Sequence, residues 1–336
     1  KMFEQETLAV IFAALMALTV ILYAILDGYD LGVGMLIPLK DEKQSDTMIA
    51  SIGPFWDANE TWLVMAMGLL FIAFPLAHSI VFKALYLPTL VLLISLILRG
   101  IAFDFRAKAL FAHKPLWDRA FKFGSLFAAL SQGYMLGQYI VGFDNSGMSI
   151  VFSLISAVGV AIAYTLIGAA WLIMKCEGDL QARAIKWFYK ALFVSWLGVI
   201  AVSIVNPLVN DDVFNRWLST PAYWVLPILC GLCFVVALFE IRKMIARKAD
   251  NSNDDSRCWT PFALTVAIYL LCFVGIALSF YPDIVPGQLT IWESVAAPQA
   301  LNFILWGAII VIPTIILYTI FSYRVFWGKV SPLQYY

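Results

Sequence analysis

Residues 7–37 read TLAVIFAALMALTVILYAILDGYDLGVGMLI, and this stretch decides the fold class. Positions 8–26 carry no charged side chain and come close to the roughly 20 apolar residues with which an α-helix crosses a bilayer. A cleavable signal peptide would begin with basic residues, whereas Glu4 and Glu6 precede this run. The sequence therefore predicts that the segment remains in the protein as a membrane-spanning helix.

The composition of the whole chain supports a membrane protein. Of its 336 residues, 62% are hydrophobic and 13% are charged, against about 25% charged in ordinary globular proteins. The 22 Lys and Arg balance the 22 Asp and Glu, so the chain lacks the basic charge that nucleic-acid binding requires. Backbone groups in lipid need partners within helices or a closed barrel, and long unbroken apolar runs exclude the barrel. An all-α polytopic membrane protein is the predicted fold class.

Nine apolar segments are long enough to cross a bilayer. They are residues 7–37, 55–76, 79–105, 118–143, 149–175, 183–207, 221–246, 259–281 and 298–327. We expect residues 1–336 to form a single transmembrane domain in which the polar stretch 246–258 is a cytoplasmic loop. Nearly all Lys and Arg fall on one side of this arrangement, which predicts an N-terminus outside and a C-terminus in the cytoplasm.

Five carboxylates lie within or beside the first three predicted spans: Asp27, Asp30, Asp57, Glu60 and Asp104. All five belong to the cytoplasmic ends of those spans in the predicted topology. Ionisable groups inside membrane segments are costly and are therefore functional candidates, and a carboxylic acid there can pass a proton. The alternative is that they only cap helices, above all Asp57 and Glu60, because a helix N-terminus favours negative charge. Asp27, Asp30 and Asp104 lie at helix C-termini, where either cations pair with them, Arg99 and Arg106 being near Asp104, or the acids are held partly protonated.

Further residues have mainly structural interpretations. Gly28 and Gly32 have the GxxxG spacing that permits close helix contact. Trp56 either lines a pocket or contacts another subunit, and the CGLC cysteines Cys230 and Cys233 are interpreted as small apolar fillers. The two histidines, His78 and His113, fall at opposite membrane faces, and no metal-ligand cluster or nucleotide motif is visible. The chain has no recognisable active site of its own.

Five motifs, in order along the chain, resemble subunit II of the cytochrome bd-type quinol:oxygen oxidases. They are LDGYDLGVGML at 26–36, IGPFWDANETWLV at 52–64, RGIAFDFR at 99–106, LTIWES at 289–294 and VIPTIILYTIFSYRVFWG at 311–328. The resemblance implies nine transmembrane helices, arranged as two four-helix bundles and one peripheral helix. It also implies a heterodimer with subunit I in the bacterial cytoplasmic (inner) membrane, with a small single-span accessory subunit in some members.

In that family subunit I holds two haems b, one haem d and the quinol-oxidising loop, so the resemblance implies no cofactor in this chain. Whether a structural quinone or lipid also binds here stays open. The complex oxidises quinol, reduces O2 to water and draws protons from the cytoplasm. Asp57 and Asp104 match its proton-pathway carboxylates, Asp27 and Asp30 match an acidic motif, and Glu60 stands where the family can be uncharged.

The resemblance places Trp56 at the subunit boundary, and we assign Gly28 and Gly32 to the same contact. Two rival functions remain on the sequence alone. One is a secondary transporter that uses the same carboxylates for proton coupling, although acids gathered at one leaflet differ from the midplane sites of such proteins. The other is a purely structural assembly subunit.

Overall fold

The computed structural model describes residues 4–108, 113–250 and 255–330, and most of them are helical. The α-helices are α1 Gln5–Leu36, α2 Glu42–Ile52, α3 Trp56–Ala73, α4 Pro75–Lys108, α5 Lys114–Ile140, α6 Gly147–Lys175, α7 Gly178–Val209, α8 Asp211–Ser219, α9 Val225–Ala249, α10 Thr260–Phe280, α11 Ile291–Ser294 and α12 Pro298–Val325. A 3₁₀ turn, Pro221–Trp224, precedes α9. Strands β1 Asp283–Val285 and β2 Leu289–Thr290 form an antiparallel hairpin.

Seven helices are long and apolar enough to cross a membrane by length and composition: α1, α4, α6, α7, α9 with its 3₁₀ turn, α10 and α12. These helices confirm the α-helical membrane class. The predicted spans 55–76 and 118–143 are also helices, α3 and α5, but they are more polar. Asp57 and Glu60 lie near the start of α3, and Lys114 and Asp118 lie near the start of α5.

Short elements between the long helices were not predicted from the sequence. Helix α2 begins at Asp41, whose side chain accepts a hydrogen bond from Gln44 N at 3.1 Å, and it buries Met48 and Ile49. Helix α8 buries only Val213. Helices this short have too few apolar positions to show a clear helical periodicity, so the sequence pattern does not predict them.

Helix α11 begins with a capping box between Thr290 and Glu293, which gives Glu293 a structural role. The backbone N–H and hydroxyl of Thr290 donate to the Glu293 carboxylate, and these hydrogen bonds hold the pKa of Glu293 below its usual value. Helix α11 packs beside the hairpin at the start of α12.

The predicted loop 246–258 is shorter in the structure. Helix α9 continues to Ala249 because Arg247 and Lys248 are good helix formers and suit the negative end of the helix dipole. Residues 251–254 lie outside the described part of the chain. Residues 255–259 form a turn, in which Cys258 N donates to Asp255 O.

Helix α1 occupies the centre of the packing and contacts α3, α5 and α6. A Cβ atom built on Gly32 would overlap the carbonyl group of Tyr164, and one built on Gly28 would lie 2.9 Å from the Tyr164 ring. Gly32 and Gly168 therefore bring the backbones of α1 and α6 into direct contact. The close contact predicted from GxxxG is present, but it lies within this chain. The assignment of Gly28 and Gly32 to a subunit interface is wrong, because both are buried here.

The long helices alternate in direction, so the molecule has two faces. The N-terminal face contains the start of α1 together with α8, the hairpin and α11, and the opposite face contains the end of α1 together with α2 and residues 326–330. Helices α9 and α10 pack on each other and against α7 and α6, respectively. Helix α12 is the most exposed, with only Leu301, Leu305 and Ile312 buried.

Candidate functional site

Arg99 joins three helices in the interior of the protein. Its Nη1 donates to Asp27 Oδ1 of α1 at 2.7 Å, and its Nη2 donates to Glu60 Oε2 of α3 at 3.0 Å. Arg99 and Asp27 are fully buried, whereas 28% of the Glu60 side chain is exposed. The arginine of α4 therefore lies between a buried acid and one that reaches the surface.

Asp30 is held by an amide from the first turn of α3. Asn59 Nδ2 donates to Asp30 Oδ2 at 2.8 Å and lies 2.9 Å from the hydroxyl of Tyr29 and 3.3 Å from Leu26 O. Asp30 and Asn59 are both buried. We call Asp27, Asp30, Asn59, Glu60 and Arg99 the buried acid cluster.

Two carboxylate oxygens of the buried acid cluster have no hydrogen-bond partner within the described residues, Asp27 Oδ2 and Asp30 Oδ1. The cluster also holds three acids and a single cation, Arg99. Full ionisation of all three acids would bury uncompensated negative charge, which is expensive in a low-dielectric interior. The arrangement can therefore hold a proton, and each open oxygen offers it a place.

A second polar group continues from the cluster toward the N-terminal face. Tyr23 lies one helical turn before Asp27 on α1, and its hydroxyl accepts from Gln132 Nε2 at 2.7 Å. Tyr164 OH donates to Gln132 Oε1 at 2.5 Å. The polar interior thus extends across α1, α5 and α6.

Local sequence explains how the cluster is assembled. Asp27 and Asp30 are three residues apart and share one face of α1. The ring of Trp56 lies beside Gly100, next to Arg99, at 3.6 Å from the position of a Cβ built on that glycine. Trp56 is half-buried, with its ring centroid 5.6 Å from the Arg99 guanidinium carbon and 4.9 Å from the ring of Phe103.

The structure brings together three of the five carboxylates singled out in the sequence: Asp27, Asp30 and Glu60. Asp57 and Asp104 are exposed on α3 and α4, and within residues 4–108, 113–250 and 255–330 neither pairs with a cation. All five lie in the half of their helices nearer to the opposite face. The surface acids and the buried acids are therefore neighbours along the same three helices but differ in environment.

The expected pairing of Asp104 with Arg99 and Arg106 is wrong. Arg106 Nε donates to Asp118 Oδ1 of α5 at 2.5 Å, and its Nη1 donates to Asp46 Oδ1 of α2 at 2.7 Å. Arg106 lies two residues along α4 from Asp104 and projects to a different side of the helix, so it fastens α2 to α4 and α5.

Arg99, Asn59 and Tyr29 are parts of the site whose roles sequence reasoning missed. A cation inside a predicted span was a signal that Arg99 has a buried acidic partner. Four candidate acids lie in other spans, however, and only the relative rotation of the helices selects Asp27 and Glu60. Asn59 carries no charge and therefore gave no signal beyond its place in the FWDANE motif.

The description "Cytochrome bd terminal oxidase subunit II" belongs to the family whose sequence profile matches residues 8–326 of this chain. The chain belongs to this family. It is thus subunit II of a cytochrome bd-type quinol oxidase, a respiratory oxidoreductase complex that contains haem and in which it associates with subunit I. It is a multi-pass bacterial membrane protein.

Two relatives match over nearly their whole length. The chain is 30% identical to "Cytochrome bd ubiquinol oxidase subunit 2" of Bacillus subtilis (strain 168), covering 96% of this chain and 97% of the relative. It is 28% identical to "Cytochrome bd-I ubiquinol oxidase subunit 2" of Escherichia coli (strain K12), covering 98% and 97%. A chain of the bd oxidase from Geobacillus thermodenitrificans has the same fold, with a TM-score of 0.75, 17% identity and coverage of 95% and 97%.

The two histidines of this chain do not share a site. Protein-bound haem in such complexes takes axial ligands such as His or Met. His78 lies near the N-terminal face between the rings of Phe71 and Phe82, and His113 is exposed at the start of α5. Within the described ranges no group of three or more His, Cys, Asp or Glu side chains could hold a metal ion. Cys230 Sγ lies 3.8 Å from Cys272 Sγ.

Proposed function

We propose that this chain is the haem-free subunit of the oxidase and that it carries protons from the cytoplasm toward the oxygen chemistry of subunit I. Reduction of O2 to water consumes one proton for each electron, so an oxygen site buried in a membrane needs a proton supply. The buried acid cluster is the part of this chain with suitable chemistry.

One observation carries the proposal: three carboxylates and one arginine share a buried site, and two carboxylate oxygens there are unpartnered. A group of acids that only strengthened the fold would be matched by cations and donors, because unpaired buried acids are costly. Acids that exchange protons instead need open oxygens. Glu60, which is partly exposed, is the link between the buried acids and the surface.

Asp57 and Asp104 complete the proposed route on the outside of the chain. Exposed carboxylates on membrane helices need water or protein around them. Subunit I is the protein that would surround them, and Trp56, next to Asp57 in the chain, packs against Arg99. We propose that this face of α3 and α4 is the contact through which protons pass between the subunits.

We also propose how the helices are arranged and how the chain is oriented in the membrane. Residues 1–336 form one transmembrane domain with nine spans, α3 and α5 among them. Helices α1, α3, α4 and α5 form one four-helix bundle, α6, α7, α9 and α10 form the other, and α12 is peripheral. The N-terminus lies outside the bacterial inner membrane, and the loop within 246–258 and the C-terminus lie in the cytoplasm.

Substitution of single acids in the purified complex tests the proposal. Asp30→Asn, Asp57→Asn and Asp104→Asn keep the side-chain shape and remove the titratable group. We expect quinol-driven oxygen consumption to fall by about ten-fold or more in Asp30→Asn, since general acid–base groups contribute about 10²–10⁴. The haem absorption spectrum should be unchanged.

Asp211→Asn, an exposed change on α8 at the N-terminal face, is the matched control and should keep parental turnover. Full turnover in all three acid variants with normal haem content would contradict the proton route. If the acid variants lose both haem and turnover, the result would instead favour a structural assembly role. Ion flux catalysed by the isolated chain in liposomes would favour the transporter.

A further inference from the structure

The side chain of Tyr323, in the last turn of α12, reaches the protein interior although the helix is largely exposed. Tyr323 packs against Phe55, with ring centroids 4.5 Å apart, and lies 6.1 Å from the ring of Trp171. Its hydroxyl lies 2.5 Å from the hydroxyl of Tyr29, a fully buried residue of α1 that stacks on Trp171. A polar atom of the peripheral helix thereby meets the centre of the molecule.

A continuous series of hydrogen bonds connects this contact to the buried acid cluster. Tyr323 OH is bonded to Tyr29 OH at 2.5 Å, Tyr29 OH to Asn59 Nδ2 at 2.9 Å, and Asn59 Nδ2 to Asp30 Oδ2 at 2.8 Å. The series joins α12, α1 and α3. Asp30 accepts from no other side chain among the described residues, because its Oδ1 is without a partner.

The chemistry of Asn59 determines what the series can do. The Asp30 carboxylate oxygen requires a donor, so the amide nitrogen of Asn59 must face it, and the two amide hydrogens point to Asp30 Oδ2 and to the hydroxyl of Tyr29. An amide N–H₂ group donates in both directions and does not pass a proton along. The series is therefore a support that fixes Asn59 and, through it, Asp30, rather than a second proton route.

The end of α12 is itself fastened to the body of the protein. Lys175 Nζ at the end of α6 donates to Phe326 O at 2.6 Å and to Gly328 O at 2.9 Å, and Val330 N donates to Lys175 O at 2.8 Å. Lys329 pairs with Asp255 in the turn before α10. These contacts anchor the chain directly after Tyr323.

We infer that Tyr323 and Asn59 are positioning residues of the proton route, and that the anchored end of α12 sets the position of Asp30 through them. This inference rests on the proposed function of the buried acid cluster. The charged and titratable groups facing Asp30 are Asp27, Glu60, Arg99, Tyr29 and Tyr323, on α1, α3, α4 and α12. A change at Tyr323 alters only the hydrogen-bond support and leaves the charges of this set in place.

The test compares Tyr323→Phe with Tyr318→Phe in the purified complex, with quinol-driven oxygen consumption measured as a function of pH. Tyr318 lies on the same helix and is 61% exposed, which makes it a matched control. We expect Tyr323→Phe to move the alkaline limb of the profile upward by about half a pH unit, because Asp30 loses part of the support from its donor. Tyr318→Phe should superimpose on the parent, and haem content should be equal in all three.

A double variant separates positioning from general stability. In an Asp30→Asn background, Tyr323→Phe should cause no further change in the profile, because its effect passes through Asp30. An additional change of the same size in that background would overturn the inference. So would an unshifted profile in Tyr323→Phe alone. If one of these two results is found and turnover of Asp30→Asn is still slowed, the inference about Tyr323 fails and the proton route stands. Parental turnover of Asp30→Asn would contradict the proton route itself.

Discussion

Arg99 is the residue that makes the buried acid cluster tolerable in a membrane protein. It forms ion pairs with two of the three acids, Asp27 and Glu60, and it is itself fully buried. Removing one partner of a buried ion pair leaves an uncompensated charge, which costs more than the pair contributes. Arg99 and Asp27 are therefore expected to depend on each other strongly.

Arg99→Gln should lower the free energy of unfolding of the chain by about 3–5 kcal/mol, because Asp27 loses its cation. The double variant Arg99→Gln with Asp27→Asn should lose less of the free energy of unfolding, since it also removes the Asp27 charge that has no cation partner. Thermal unfolding of the purified complex measures both. Arg242→Gln, an exposed change on α9, is the control and should stay within about 0.5 kcal/mol of the parent. Equal destabilisation in the single and double variants would contradict this dependence.

At the scale of helices, the contact between α1 and α6 positions Asp27 and Asp30. Gly32 and Gly168 bring the two backbones together, and Tyr164 of α6 packs beside Gly28. The acids of α1 are thus oriented toward α3 and α4 by the packing on its other side.

Gly32→Ala tests this packing, because even a methyl group there overlaps the Tyr164 carbonyl and must push α6 away from α1. We expect a destabilisation of about 1–3 kcal/mol or more and a lower yield of assembled complex by size-exclusion chromatography. Gly159→Ala on α6 is the control, since no atom lies within 4 Å of a Cβ at that position. A normal yield of Gly32→Ala would show that the helices are not in close contact.

The sequence predicted the elements that depend on long apolar runs and missed those that depend on tertiary contacts. All nine predicted segments are helices, with ends displaced by a few residues. Helix α2 was missed because its stability comes from Arg106 and from packing against the body, not from its own pattern. The i, i+3 spacing predicts that Asp27 and Asp30 share a helix face, and the structure has both beside Glu60. The pairing of Asp27 and Glu60 with Arg99 depends on helix rotation, which no local pattern encodes.

For the whole molecule, the decisive property is the order in which the helices cross the membrane. Composition identifies seven spans, whereas the proposed topology needs α3 and α5 as well. The difference matters for function because α3 carries Asp57, Asn59 and Glu60. If α3 did not cross, these residues would not lie at the cytoplasmic end of a span.

Cysteine labelling in cells distinguishes the two topologies. Ser79 and Lys108 are exposed near the two ends of α4. With nine spans, Ser79→Cys should react with a membrane-impermeant maleimide on intact cells, and Lys108→Cys only after the membrane is opened. The parent chain, which keeps its five cysteines, supplies the background. The reverse labelling pattern would contradict α3 as a membrane span.

The measurement closest to the central claim is proton uptake from the cytoplasmic side during reduction of O2, followed with a pH indicator on the oxidase reconstituted in vesicles. We predict that the parent and Asp211→Asn take up protons at the rate of electron transfer. In Asp30→Asn both proton uptake and electron transfer should be slower than in the parent, with the haem spectrum unchanged. Proton uptake at the parental rate in Asp30→Asn would contradict the role of the buried acid cluster.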